Sequence, residues 1–365
     1  MSAAPRNLKA LTTLRYFAAI WVVLFHYWDS LTTAAMPPLI AKGYLGVELF
    51  FVLSGFILCH VYLQSAGEGG FRYGGFLWTR LARIYPLHLA TLLGLGLIAI
   101  AARGVGMDMG DKVLVWSSLP AQLVLAQAWG LAPNGGWNHP SWSISAEWMA
   151  YLTFPVFAWA AWRLRGRPRV AVALSLVFTA ALYFAFSRIT GQSLTRATIA
   201  WGALRIVPCF AYGCALYLAW RAEPVKDSRW APLAALGFLA AIVGSVAVSA
   251  PDALSVGLFG GLIFWLARFA ARPSVMTSPL GVYLGEVSFA VYMVCIPWQL
   301  VFTHVAGRVL HLPAGPLPWP VWAAMLVGLT PVAMLAHHLV ERPARLAMRG
   351  WSFGPSIAKT PQPVI

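Results

Sequence analysis

Charge is what this chain has least of. Only 10% of its 365 residues are charged and only 11 are acidic, whereas soluble domains carry roughly 25% charged residues. Cysteine is also sparse. Cys59, Cys209, Cys214 and Cys295 all fall in apolar stretches, with no CxxC pair and no Cys/His ligand spacing. That pattern excludes a disulfide framework and a zinc site, so no metal is expected and the thiols read as buried and inert. Period-two alternation is missing, which excludes an outer-membrane barrel. No internal repeat is visible, so the inverted-repeat mark of many transporters is absent too.

Apolar sequence is what the chain has in surplus: 60% of residues are hydrophobic and the mean hydropathy is +0.71. A soluble core needs no such excess, so the fold class is all-α, a polytopic membrane protein whose first partner is the lipid bilayer. The net charge of +15 does not point to nucleic acid. The basic residues fall between apolar segments rather than on one face, as the positive-inside rule predicts. Arg6 and Lys9 before an apolar run, with Ala34 and Ala35 after it, imitate a secretory signal. Cleavage there would discard Arg15 and His26, so the segment is read as an uncleaved first membrane helix.

Apolar length sets the spans, and Lys and Arg set their direction. Ten are expected, over residues 14–31, 44–63, 84–102, 143–162, 170–186, 201–220, 230–248, 254–270, 280–302 and 319–340, with both termini cytoplasmic. The stretch 113–131 is interrupted by Ser117, Ser118, Pro120 and Gln122. If it crossed, the loop with Arg163, Arg165, Arg167 and Arg169 would lie outside, against the charge rule. It is expected to be re-entrant or interfacial on the outer side. The organisation is then a cytoplasmic tail (1–9), a transmembrane domain (10–345) and a cytoplasmic tail (346–365) expected to be disordered.

Ionisable groups inside such helices cost roughly 2.5–3.5 kcal/mol each at mid-membrane and mark function unless they snorkel. On a helix at about 100° per residue, Arg15 and His26 share one face, roughly 16 Å apart. Glu48 begins the second segment on the outer side, where a hairpin with the first can bring it to His26. A carboxylate beside an imidazole fixes its tautomer and raises its basicity, which suits a general base. Glu48 could instead cap its helix or neutralise Arg205, which is also on the outer side. Ser143 and Glu147 share a face four residues apart, as N-cap and dipole partner or as site groups. Arg80 and Arg83, at i and i+3, are either a positive-inside anchor or a phosphate site. Ser288 and Tyr292 can donate hydrogen bonds inward. His337, His338 and Glu341 imitate metal ligands, but adjacent His residues point about 100° apart on a helix, so an interfacial role is expected. These residues alone leave an enzyme, a transporter or flippase of an envelope glycan precursor, and a non-catalytic assembly protein in play.

Read together, the motifs resemble the membrane acyltransferase-3 family from about Lys9 to Arg345. The carriers are Arg15 and His26 with ten residues between them, GYLGVELFFVLSGF, Arg80-x-x-Arg83 before Tyr85-Pro86, WSISAEWMAYLTFP with Glu147, SFAVYM, and ERPAR from Glu341 to Arg345. Relatives often have Asp where Glu48 stands and His where Cys295 stands, and many append an extracytoplasmic esterase-like domain, which is not expected here. The resemblance implies about ten helices in the bacterial inner membrane and a catalytic His26 with Arg15 as motif partner. It implies acyl-CoA, most simply acetyl-CoA, as cytoplasmic co-substrate, with no permanently bound cofactor. The acceptor would be a carbohydrate or lipid-linked glycan hydroxyl. Within that frame Glu48 would orient His26, and Arg15, Arg80 and Arg83 would hold the donor. Ser143, Glu147, Arg205, Ser288 and Tyr292 would line the acceptor side.

Overall fold

The computed structural model describes residues 8–104, 113–132, 134–223, 228–268 and 273–351. Among these residues every regular element is helical. The long elements, in chain order, are α1 (Lys9–Tyr27), α2 (Gly46–Gly67), α3 (Tyr73–Gly104), α4 (Trp142–Leu152) and α5 (Phe154–Arg163). They continue as α6 (Pro168–Thr190), α7 (Gly202–Ala222), α8 (Ala231–Ala247), α9 (Asp252–Ala267), α10 (Pro279–Val309), α11 (Trp319–Ala336) and α12 (Arg342–Gly350).

Each of the ten predicted segments has a helical counterpart. Among the described residues seven helices are long and apolar enough to cross a membrane, while α8 and α9 are shorter. The predicted segment 143–162 is two helices, because Pro155 sits in the first turn of α5 and lacks the N–H that a continuous helix would need. Residues 113–132 form no long helix, only a 3-10 turn at Trp116–Ser118 and the five-residue helix Leu119–Leu123. At about 1.5 Å per residue that piece is far too short to span.

One boundary is corrected. The chain does not lose its structure at 346, because α12 continues to Gly350. Between α11 and α12, His337–Glu341 forms a π-helical turn. The rest of the expected tail, residues 352–365, lies outside the described residues, as do residues 1–7.

The distribution of polarity is that of a protein in lipid. Leu93, Leu97 and Ile100 on α3, Val177, Phe184 and Ile189 on α6, and Val327 and Leu335 on α11 are exposed, while Glu48, Arg83, Arg205 and Glu341 are buried. Small residues let the inner helices meet backbone to backbone, the packing that lipid surroundings favour. A Cβ added at Gly55 would strike the Phe210 carbonyl, and one at Gly213 the Val52 carbonyl, so α2 and α7 touch through paired glycines. Gly285 of α10 lies equally close to the Thr12 carbonyl of α1. These two contacts place α1, α2, α7 and α10 at the centre, and the ionisable groups lie on their inner faces.

Candidate active site

Helix α1 carries Arg15 and His26 on one face as the spacing predicts, and the molecule is polar at both heights. At the level of Arg15 a cleft of about 120 Å³ opens between α1, α2, α3, α4 and α10. Arg15, Arg80 and Arg83 line it together with Glu147, and Ser54, Ser143, Tyr151 and Tyr292 supply hydroxyls. The three arginines and Glu147, distant in sequence, are thus brought to one cavity.

The basic end is held by groups from the far end of the chain. Arg83 Nη1 donates to Glu341 Oε1, and His337 Nδ1 lies 2.9 Å from Glu341 Oε2. Arg345 Nη1 is 3.9 Å from Glu341 Oε1. The π turn brings Glu341 into this position, and such turns are frequent at functional sites. Arg83 also lies 5.1 Å over the Phe289 ring, and Arg80 lies 5.8 Å over Tyr62. The Arg80 Nε is buried with no hydrogen-bond partner among the described residues. Arg15, Arg80 and Arg83 line the cleft and Arg345 adjoins it through Glu341, while Glu147 and Glu341 are the carboxylates beside them. The guanidinium groups outnumber the carboxylates, which leaves a positive surplus for an anion with several charges.

Glu147 accepts a hydrogen bond from Ser54 Oγ at 2.9 Å and lines the cleft with Tyr151 one helical turn on. At the other end of the cleft, Ser143 Oγ and Tyr292 OH each donate to the Pro140 carbonyl at 3.1 Å. The residue before Pro140 is His139. Its ring faces that of His26, with centroids 6.2 Å apart and planes at 78°. Ser143, Tyr292 and the Pro140 carbonyl thus connect the cleft to the neighbouring His139 and His26, which do not themselves line it.

The segment carrying His139 is fastened from several sides. Asn138 Nδ2 donates to the Met293 carbonyl at 2.8 Å. His88 Nε2 lies 2.8 Å from the Gln122 carbonyl oxygen, and Gln127 Nε2 donates to the Ser141 carbonyl at 2.9 Å. On the α1 side, Gln299 Nε2 donates to Ser30 Oγ at 2.7 Å and to the His26 carbonyl at 3.4 Å.

Three expected roles change. Glu48 does not orient His26. Both of its carboxylate oxygens accept from Arg205, Oε1 from Nε at 2.5 Å and Oε2 from Nη2 at 2.9 Å. The physical reason is burial: neither residue is more than 1% exposed, and a buried guanidinium needs a carboxylate beside it. Arg205 is not free for an acceptor either. Its Nη1 also donates to the Ala197 carbonyl and its Nη2 to the Tyr44 carbonyl, and its plane lies 4.6 Å over Trp142. Ser288 is fully buried, its hydroxyl donates to the Gly285 carbonyl at 2.7 Å, and it is not among the residues lining the cleft.

Sequence reasoning missed His139, Ser54, Tyr151, Glu341 and Arg345 as site groups. His139 stood in the block HPSWSISAE, but three residues ahead of a helix it carried no periodic signal. Glu341 and Arg345 stood in ERPAR, whose link to Arg83 depends on a contact across 258 residues. Among the described residues no group of three His, Cys, Asp or Glu side chains converges as a metal site.

Comparison with known proteins bears on the family. A family model described as "Acyltransferase domain", of the acyltransferase-3 type, matches residues 8–338. Acyltransferase MdmB of Streptomyces mycarofaciens is 28% identical over 92% of this chain and 91% of its own length. Nodulation protein 10 of Rhizobium leguminosarum bv. viciae is 24% identical over 91% of each chain. The putative peptidoglycan O-acetyltransferase YrhL of Bacillus subtilis (strain 168) is 22% identical over 93% of this chain and 55% of its own. No solved structure matches.

Proposed function

The chain belongs to the membrane acyltransferase-3 family, and from that premise we propose how this multi-pass inner-membrane acyltransferase works. It takes an acyl group, acetyl in the simplest case, from cytoplasmic acyl-CoA and transfers it to a hydroxyl of a carbohydrate or other envelope or exported acceptor. The likeness to a putative peptidoglycan O-acetyltransferase of Bacillus supports both the acetyl group and an envelope acceptor. In this reading ten helices cross the membrane with both termini cytoplasmic, so the end of the cleft with Arg80 and Arg83 faces the cytoplasm.

The observation that carries the proposal is the cleft itself, an arginine-rich mouth continuous with a line of groups that ends at His26. Arg15, Arg80 and Arg83 hold the phosphates of the donor. The pantetheine arm passes Glu147, Ser143 and Tyr292, bringing the thioester to His26. The Arg15–His26 separation of roughly 16 Å is of the order such an arm must cover. His26 takes the proton of the acceptor hydroxyl as that oxygen attacks the thioester carbon. Glu48 and Arg205 act as an internal strut.

The test supplies acetyl-labelled acetyl-CoA to membrane vesicles from a strain lacking the chromosomal copy and carrying the plasmid-borne gene. Label should enter extractable envelope or exported material only when the protein is present. Equal incorporation without it would remove the enzyme reading.

A further inference from the structure

With Glu48 committed to Arg205, no carboxylate hydrogen-bonds the His26 ring among the described residues, and the group facing it is a second imidazole. His26 is half-buried and His139 is exposed, so a molecule arriving at this end of the protein can reach both. At a centroid separation of 6.2 Å, near-perpendicular, the ring nitrogens cannot hydrogen-bond each other directly, but one oxygen can bridge them. His139 is also held in place. Asn138 on one side is anchored to α10 by the Met293 carbonyl, and Pro140 on the other accepts from Ser143 and Tyr292. No hydrogen bond restrains the His139 ring itself among the described residues, so its N–H remains available. A rigid backbone with an unspent donor is what electrostatic stabilisation of a transition state requires.

We propose that His139 is a second catalytic residue, whose ring N–H stabilises the oxyanion formed when the acceptor hydroxyl, deprotonated by His26, attacks the acyl thioester. This rests on the reading of His26 as base in acyl-CoA-dependent transfer. In the step, the acceptor O–H proton passes to His26 and an acceptor O–C bond forms at the thioester carbon. The carbonyl π electrons move to its oxygen, which accepts from His139 N–H. Collapse restores the carbonyl and breaks the C–S bond. The CoA thiolate leaves and takes the proton back from the His26 imidazolium. A neutral imidazole can serve as such a donor, and it adds no charge that would bind ground and transition states alike. The same geometry explains why a partner for His26 lies outside helix α2: the reacting carbon must fit between the two rings, with the acceptor oxygen against His26 and the carbonyl oxygen against His139.

The experiment measures initial rates of label transfer from acetyl-CoA to endogenous acceptors in membrane vesicles, at equal amounts of folded protein. Four proteins are compared: wild type, His26→Ala, His139→Ala and His139→Gln. Removing one oxyanion donor costs on the order of 10²–10³ in kcat. His139→Ala should therefore lose about that factor in kcat while KM for acetyl-CoA stays within about threefold. His139→Gln, whose amide N–H reaches a similar position, should recover at least about tenfold of the loss. Because His139 is exposed, neither change should lower thermal stability in detergent. His139→Ala within about threefold of wild type, while His26→Ala is inactive, would overturn the His139 assignment and leave the base intact. Equal inactivity of His139→Ala and His139→Gln at unchanged stability would overturn the N–H donor role. Wild-type activity retained by His26→Ala would instead bring down the underlying reading.

Discussion

Arg205 holds Glu48 with two donors, one on each carboxylate oxygen, and the pair joins α7 to α2 in the interior. Removing one member of a buried pair leaves an uncompensated charge, which costs about 3–5 kcal/mol. Glu48→Ala and Arg205→Ala should each lower the unfolding temperature in detergent sharply, while Glu48→Leu combined with Arg205→Leu should recover part of that loss. Thermal unfolding followed by size-exclusion chromatography reads this directly. Equal damage from the single and double changes would contradict a strut.

The glycine contact between the same two helices gives an independent prediction. Gly55 faces the Phe210 carbonyl and Gly213 faces the Val52 carbonyl with no room for a Cβ. Gly55→Val and Gly213→Val should separate α2 from α7 and reduce folded protein by tenfold or more, judged as roughly 1–3 kcal/mol of overpacking. Gly94→Ala, with open space around the position, is the control and should leave the yield unchanged. Fluorescence-detected gel filtration of tagged variants separates these cases.

At the basic mouth, Arg80 and Arg83 should differ. Arg80 lies over Tyr62 and has an unspent Nε, whereas Arg83 is bound to Glu341. Arg80→Gln should raise KM for acetyl-CoA by about tenfold, one charge-assisted contact, with stability retained. Arg83→Gln should lower stability as well, since it strands Glu341. Kinetics in acetyl-CoA together with detergent melting curves distinguish the two. An unchanged KM in both variants would remove them from donor binding.

Ser288 should be silent. Its hydroxyl is spent on the Gly285 carbonyl one turn back, so Ser288→Ala loses about 1 kcal/mol of stability at most and changes transfer rates less than twofold. Loss of activity at full stability would return it to the acceptor side.

How far the sequence reveals this depends on the range of each interaction. The helices and the Arg15–His26 face were legible because period, apolar length and basic loops are local signals. Arg80, Arg83 and Glu147 were legible as candidates because charge inside an apolar run is conspicuous. The choice among pairings was not. Glu48 stood open to His26 or to Arg205, and only three-dimensional packing decides for Arg205, 157 residues away. Ser288 was misread because a helix hydroxyl can turn back to its own backbone, which spacing cannot reveal. The break at Thr153 was hidden in an apolar run whose Pro155 was visible but whose consequence depends on neighbours. His139 was silent because it opens the three-residue 3-10 turn His139–Ser141 before α4, too short for periodicity to assign a face.

In the proposed reaction His26 performs acyl transfer just beyond the Ser143 and Tyr292 side of the cleft. The most direct measurement is mass spectrometry of envelope glycans and exported products from a deletion strain complemented with wild type or with His26→Ala, at matched protein levels in the membrane. An acyl mass increment, 42 Da if acetyl, is the roughly expected signature, present with wild type and absent with His26→Ala. The same increment in both strains would contradict the account, and accumulation of an unmodified glycan precursor in the deletion strain alone would point to transport instead.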